Sequence, residues 1–284
     1  MASALAFHPP RPPLYQLKKF RGSGSSASIG DTASIGNDVF QLIRTHKDLP
    51  PIDTSSNPRV HMVVVAKNRT RIAVSVYRPT SRQSCILTVI YSHGNATDIG
   101  GMHERYKLLS SILQCNVVGY DYTGYGASSG TPEERKTYND IEAVLRFSQD
   151  IGLVTNVADQ VILYGQSVGS GPSVWLASRK RVKALIVHSG IASGLRVFTS
   201  SRLLCCCDIF PNIDRISKVK APVFIIHGSD DEEVDVSHGI KLFNALRNPE
   251  MSRSWWVAGA GHHDVVQQNF DAYIENLQEF VHGV

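Results

Sequence analysis

Val161-Ile162-Leu163-Tyr164-Gly165-Gln166-Ser167-Val168-Gly169-Ser170-Gly171-Pro172-Ser173 is the stretch whose reading decides the fold. Its centre has the form G-x-S-x-G, a sharp turn that lifts a serine off the end of a strand and onto the start of a helix. Glycines on both sides of the serine leave room for neighbouring chain to pass close by. So short a pattern carries little by itself, and its flanks must decide. They fit. Four apolar residues suited to a buried strand lead in, and Ser173-Val174-Trp175-Leu176-Ala177-Ser178 leads out as a helix. Pro172 falls in the first turn of that helix, where a missing N–H costs little.

Outward from this turn, strand-like and helix-like segments alternate. His61–Val65 and Arg71–Tyr77 read as two strands of a meander, and Ile86–Tyr91 as a buried strand that ends at Ser92-His93-Gly94-Asn95. Apolar spacing predicts a helix from Met102 to Leu113, then a strand over Asn116–Asp121 with a glycine-rich exit. Thr131 and Glu134 have the spacing of a capping box, with Pro132 at the first helical position, ahead of a helix that buries Tyr138, Ile141, Val144, Leu145 and Phe147. Ala184–His188, Pro222–His227 and Trp255–Val257 complete the strands, and Phe270–Val281 is a closing helix. Continuous apolar strands alternating with helices indicate an α/β fold: a mostly parallel central sheet with helices on both faces.

Residues 1–57 read differently. A proline-rich apolar strip from Leu5 to Leu17, read as extended and laid against something, is followed by a Gly/Ser tract in which Ala-Ser-Ile-Gly occurs twice. The expectation is a partly flexible, loosely attached extension over 1–57 and a catalytic domain over 58–284. At 284 residues the chain can bury one large core, and 19% charged residues suit a globular protein rather than a disordered one. A net charge of +4 gives no reason to expect nucleic acid as a partner. No apolar run approaches the roughly 18 residues of a membrane span, and the opening residues lack the layout of a signal peptide. Five cysteines, an odd number, three of them contiguous at Cys205, Cys206 and Cys207, form no disulfide framework. A reducing, cytosolic setting is the expectation.

A serine hydroxyl becomes an effective nucleophile only beside a base that a third group orients. In a strand–turn–helix of this kind the acid and then the histidine follow later in the chain. Two strand ends supply them: His227-Gly228-Ser229-Asp230-Asp231-Glu232-Glu233 and Gly259-Ala260-Gly261-His262-His263-Asp264. Which acid and which histidine act is left open by the residues alone. The backbone N–H of Asn95, or of Ala96, and that of Val168 are the candidates for an oxyanion hole, and His93 is read as structural. His262-His263-Asp264 lacks the spacing of metal ligands on one helix face; neither metal nor other cofactor is expected.

Several of these segments together resemble a known family. Tyr91–Gly100, Asp121–Gly126, Tyr164–Gly169, Phe210–Asp214, the acidic loop after His227 and the Gly259–His262 loop are similar to the alpha/beta hydrolase domain-containing protein 17 group. The resemblance covers about residues 59–282, together with the Leu5–Leu17 strip. It implies an alpha/beta-hydrolase fold and a membrane-associated palmitoyl-protein thioesterase, with Ser167 as nucleophile, Asp231 as acid and His262 as base. S-acylated proteins would then be the substrates, met at the cytosolic side of membranes by peripheral contact. Members of that group begin with a cysteine cluster whose acylation anchors them, whereas the first cysteine here is Cys85, which leaves the route of membrane attachment open.

Only about thirty residues separate the strand ending near Ser189 from the one starting at Pro222, so the cap segment should be short and the site open. Ile191, Leu195, Phe198 and Leu203 in that segment are candidates for an acyl groove. The same residues could serve a carboxylesterase or a monoacylglycerol-type lipase acting on oxygen esters. A non-catalytic binding protein on a hydrolase scaffold is the alternative from another class.

Overall fold

The computed structural model describes residues 6–19, 39–46, 48–49, 52, 59–65, 67–79, 87–194 and 208–284. The apolar runs pair into one ten-stranded sheet with the order β1-β2-β3-β4-β6-β5-β7-β8-β9-β10. The strands are β1 (Tyr15–Lys19), β2 (Val39–Arg44), β3 (Arg59–Val64), β4 (Arg71–Tyr77), β5 (Thr88–Ser92), β6 (Asn116–Tyr120), β7 (Val161–Gln166), β8 (Ala184–His188), β9 (Val223–Gly228) and β10 (Arg253–Val257). β1 to β4 are antiparallel, β4 pairs antiparallel with β6, and every pairing from β6 to β10 is parallel. β5, β6, β8 and β9 are buried along their whole length, which is why they are continuous apolar runs in the sequence.

Helices cover both faces: α1 (His103–Ile112), α2 (Glu134–Asp150), α3 (Val157–Gln160), α4 (Ser170–Arg179), α5 (Ser237–Asn244), α6 (Val265–Gln268) and α7 (Phe270–Gly283). On one face α2 and α4 bury Tyr138, Ile141, Val144, Val174 and Leu176 in a single cluster with Ile90, Leu163 and Ile225. On the other, Tyr106 and Leu109 of α1 and Tyr273, Leu277 and Phe280 of α7 pack on Tyr91, Tyr164 and Phe224. Because β5, β7, β9 and β10 run parallel, their carboxyl ends share one edge of the sheet. The loops after these four strands carry Asn95, Ser167, Asp231 and His262 to that edge.

Two expectations need correcting. The segment before residue 58 is not a loosely attached extension where it is described. β1 and β2 extend the sheet, and Tyr15 is 2% exposed. The Tyr15 hydroxyl donates to Asp121 Oδ2 (2.6 Å) and accepts from the Ala127 N–H (3.0 Å). Leu14 N–H donates to Asp98 Oδ2 (2.7 Å), and Phe7 lies in the core at 5% exposure. Prolines and a Gly/Ser tract signal weak local structure, but burial of Phe7 and Tyr15 supplies the stability that local propensity does not. Nor does Thr131 cap α2. The helix begins at Glu134 with Glu133 at its N-cap and no side-chain cap bond. Glu134 instead accepts from the Phe210 N–H (2.9 Å) and from the Tyr138 hydroxyl.

Burial of Tyr15 against the Asp121 carboxylate also sets an expected outcome. Tyr15→Phe strands a buried carboxylate oxygen and the Ala127 N–H, and should destabilise the fold by about 1–3 kcal/mol in urea denaturation. A loss below about 0.5 kcal/mol would mean that the strip is only loosely attached.

Candidate active site

β7 ends in a turn that fixes a serine in an unfavourable backbone conformation. Ser167 has φ 51°, and a single 3-10 turn over Ser167–Gly169 leads directly into α4. A non-glycine residue in the left-handed region costs about 1–3 kcal/mol and persists only where its surroundings impose it. Here they do. A Cβ on Gly169 would stand 2.1 Å from the Ser92 carbonyl oxygen, and one on Gly165 would stand 2.6 Å from the Gly169 oxygen. Ser170 Oγ donates to the Ser167 carbonyl (2.6 Å) and accepts from the Ile191 N–H (3.2 Å) and from Asn212 Nδ2 (3.2 Å). The start of α4, the exit of β8 and the Asn212 turn are thereby tied together beneath the serine.

The histidine and the acid arrive from the loops after β10 and β9. His262 Nε2 lies 3.0 Å from Ser167 Oγ, and His262 Nδ1 lies 2.7 Å from Asp231 Oδ2. Backbone bonds hold the two loops in register: Asp230 N–H to the Ala260 oxygen (3.0 Å) and Ser229 N–H to the Val257 oxygen (2.9 Å). Asp231 Oδ1 accepts from the N–H groups of Glu233 (3.0 Å) and Val234 (2.8 Å). His227 Nε2 sits 3.2 Å from Asp231 Oδ2 and 2.7 Å from the Val234 oxygen. Burial alone would raise the Asp231 carboxyl. Hydrogen bonds from His227, from His262 and from the Val234 N–H outweigh it and hold the group well below the usual carboxylate range.

Geometry therefore separates candidates that the sequence left together. Asp230, Glu232, Glu233 and Asp235 are exposed, and Asp231 is the acid that meets His262 Nδ1. His263 points outward to Glu233 Oε1 (2.6 Å). Glu233 Oε2 also lies 3.8 Å from His262 Nε2, a carboxylate at the lip of the site.

The loop after β5 completes the arrangement. A Cβ on Gly94 would lie 3.6 Å from the Ser167 Cβ, so this loop touches the elbow. Ala96 N–H is committed to the His8 carbonyl (3.1 Å), which leaves the Asn95 N–H as this loop's candidate donor. His93 is fully buried, with Nδ1 2.7 Å from the Gly94 oxygen and its ring 4.5 Å from Tyr122. A structural role fits it.

Ile191 is 7% exposed and packs in the core cluster. Leu195, Phe198 and Leu203 lie outside the described residues, as do Cys205, Cys206 and Cys207. Among the described residues no group of three His, Cys, Asp or Glu side chains is placed to hold a metal ion. Sequence reasoning missed His227, which reads as the last residue of an apolar strand, and Asn212, whose Nδ2 joins Ser170 to the Ile191 oxygen. For Asn212 the Phe210–Asp214 motif was the available signal.

The crossing at Gly169 has a measurable consequence. Gly169→Ala pushes the elbow off the Ser92 carbonyl and should lower stability by about 3 kcal/mol in urea. The labelling rate of Ser167 by a fluorophosphonate should fall about 10²-fold with it.

A profile described as the alpha/beta hydrolase fold matches residues 88–204. Alpha/beta hydrolase domain-containing protein 17B of Homo sapiens is 47% identical over 196 residues, which cover 68% of this chain and 66% of that protein. The protein of the same name from Xenopus laevis is 39% identical over 287 residues, 99% of this chain and 90% of the relative. Among solved structures, an esterase of Pyrococcus furiosus superposes with a TM-score of 0.66 at 18% identity, covering 84% of this chain and 94% of that one. That likeness concerns the fold. With 39% identity along nearly its whole length and this sheet around it, the chain belongs to the alpha/beta hydrolase domain-containing protein 17 family, a family of alpha/beta hydrolases.

Proposed function

We propose that the chain is a serine hydrolase that removes S-linked fatty acyl groups from protein cysteines. The observation that carries the reading is the continuous line Ser167 Oγ–His262 Nε2, His262 Nδ1–Asp231 Oδ2, at 3.0 and 2.7 Å, at the mouth of a strand–turn–helix. The choice of thioester over oxygen ester rests on the motifs that resemble the protein 17 group.

In this mechanism Ser167 Oγ attacks the thioester carbon while His262 Nε2 takes the hydroxyl proton. Negative charge moves to the former carbonyl oxygen, where the N–H groups of Asn95 and Val168 receive it. Collapse of this intermediate breaks the C–S bond, and His262 returns its proton to the departing cysteine sulfur. Water then enters, gives a proton to the same nitrogen and attacks the acyl-serine ester. The fatty acid leaves and Ser167 regains its proton. Asp231 stays ionised throughout, holding the imidazole in one tautomer and stabilising its cation. S-acylated proteins are kept at membranes by their acyl chains, which puts the place of action at the cytosolic membrane surface. No described helix is long and apolar enough to cross a membrane, and the proposed contact is peripheral.

Palmitate release from an S-palmitoylated peptide, assayed beside an oxygen ester of the same acyl chain, tests the reading. Ser167→Ala should abolish release, and a mutant that retains it would sink the assignment. Preference for the oxygen ester would favour the carboxylesterase or lipase alternative. Asp231→Asn should lower kcat by about 10⁴-fold with the fold intact. Because the Asp231 carboxyl is held below its ordinary range, it remains charged as pH falls from about 7 to about 4. Protonation of Asp231 should therefore add nothing to the acid limb of kcat/KM in that interval, and a slope steeper than one proton there would mean that Asp231 titrates after all.

A further inference from the structure

Residues 6–8 cross the loop that carries the Asn95 N–H, and they hold it through backbone atoms. Asn95 Nδ2 donates to the Ala6 carbonyl (2.9 Å), and Asn95 Oδ1 accepts from the His8 N–H (2.8 Å) and from the Tyr125 hydroxyl (2.6 Å). The Ala96 N–H returns to the His8 carbonyl (3.1 Å). Phe7, between the two bonding residues, is the anchor: its ring stands 5.8 Å from that of Phe210 and 6.4 Å from that of Tyr125, edge-on to both. Further along the same strip, Leu14 N–H bonds Asp98 Oδ2, while Asp98 Oδ1 accepts from the N–H groups of Gly100 (3.0 Å) and Gly101 (3.1 Å). The oxyanion loop is thus fastened at its start and at its end by one N-terminal segment.

Three bonds on one amide side chain leave it a single orientation, and the peptide that bears it is fixed with it. Ala96 sits at φ 54°, a left-handed conformation that needs support from outside the loop, and the bond to His8 supplies it. Donors to an oxyanion lower the barrier only if they are aimed before the charge develops. We propose that residues 6–8, seated by Phe7, are a positioning element of the catalytic site. They aim the Asn95 N–H at the acyl oxygen over Ser167. The inference rests on the hydrolase reading above.

Two full-length variants test it. His8→Pro deletes the donor to Asn95 Oδ1 and keeps the His8 carbonyl, in a strip that Pro9 and Pro10 already hold extended. Asn95→Ala deletes all three side-chain bonds and keeps the backbone N–H. Turnover of an acyl ester is normalised to serine titrated with a fluorophosphonate, and hydrogen exchange is followed in parallel. The expected result is a fall in kcat of about tenfold for His8→Pro and about 10²-fold for Asn95→Ala, with KM within about twofold. Affinity for an acyl trifluoromethyl ketone, whose adduct carries the oxyanion, should fall by the same factor as kcat, and exchange should quicken only around residues 94–101 and in the segment at residues 6–8 that bonds them. Wild-type kcat and ketone affinity in both variants, despite faster exchange of that loop, would overturn the positioning role and leave the hydrolase reading standing. A loss of kcat that merely follows the titratable serine would overturn it as well. If the unsubstituted chain shows no Ser167-dependent ester hydrolysis, the hydrolase reading itself fails and takes this inference with it.

Discussion

Ser167 is held at φ 51° because the chain on either side of it has nowhere else to go. The Ser92 carbonyl occupies the space where a Gly169 side chain would be, and the Gly169 carbonyl does the same for Gly165. This crowding joins the ends of β5 and β7, and through Ser170 and Asn212 it reaches the exit of β8. The candidate nucleophile, the candidate oxyanion loop and the base of the cap segment are therefore one packed unit. Its strain is offset by the parallel strands beneath, which are buried on both faces.

A second constraint acts on charge. Asp231 is a buried carboxylate, and such a group stays ionised only when enough donors converge on it. The Glu233 and Val234 N–H groups take one oxygen, and the His262 and His227 rings approach the other. Convergence of this kind does more than stabilise the anion. It leaves Oδ2 one direction in which to meet His262 Nδ1, so the tautomer that presents Nε2 to Ser167 is set from behind. Exposed acids of the same loop lack these donors and sit in water, where they can tune the lip of the site but cannot orient the ring.

What the sequence disclosed follows from what was buried. β5 to β9 are apolar runs because both their faces are covered, and the elbow glycines are visible because nothing larger fits. The parallel sheet and Ser167 were legible for that reason. β1 and β2 were not, since each buries little and a Gly/Ser tract lies between them. Their place depends on Tyr15 meeting Asp121 and on Phe7 meeting Phe210, contacts that leave no periodic trace. The acidic loop named several carboxylates and the last loop two histidines. Motif resemblance picked Asp231 and His262, and distances of 2.7 and 3.0 Å bring those two together with Ser167. Thr131 and Glu134 have the spacing of a cap, but Glu134 is drawn away by the Phe210 N–H. Tertiary contact prevailed there over a local signal.

The N-terminal strip also has a consequence for how the chain comes together. His8 and Asn95 are 87 residues apart in sequence, and Tyr15 and Asp121 are 106 apart. A growing chain emerges from its N-terminus first, at about 5–20 residues per second. Tyr15 and His8 therefore wait for seconds until Asp121 and Asn95 have been made, and Phe7 waits longer still, until Phe210 has. Closing loops of that length is entropically unfavourable before many contacts exist to reward it. A segment that is made before its partners is thus among the last to be seated, and prolines that keep it extended in the interval also keep it from collapsing onto the wrong strand edge.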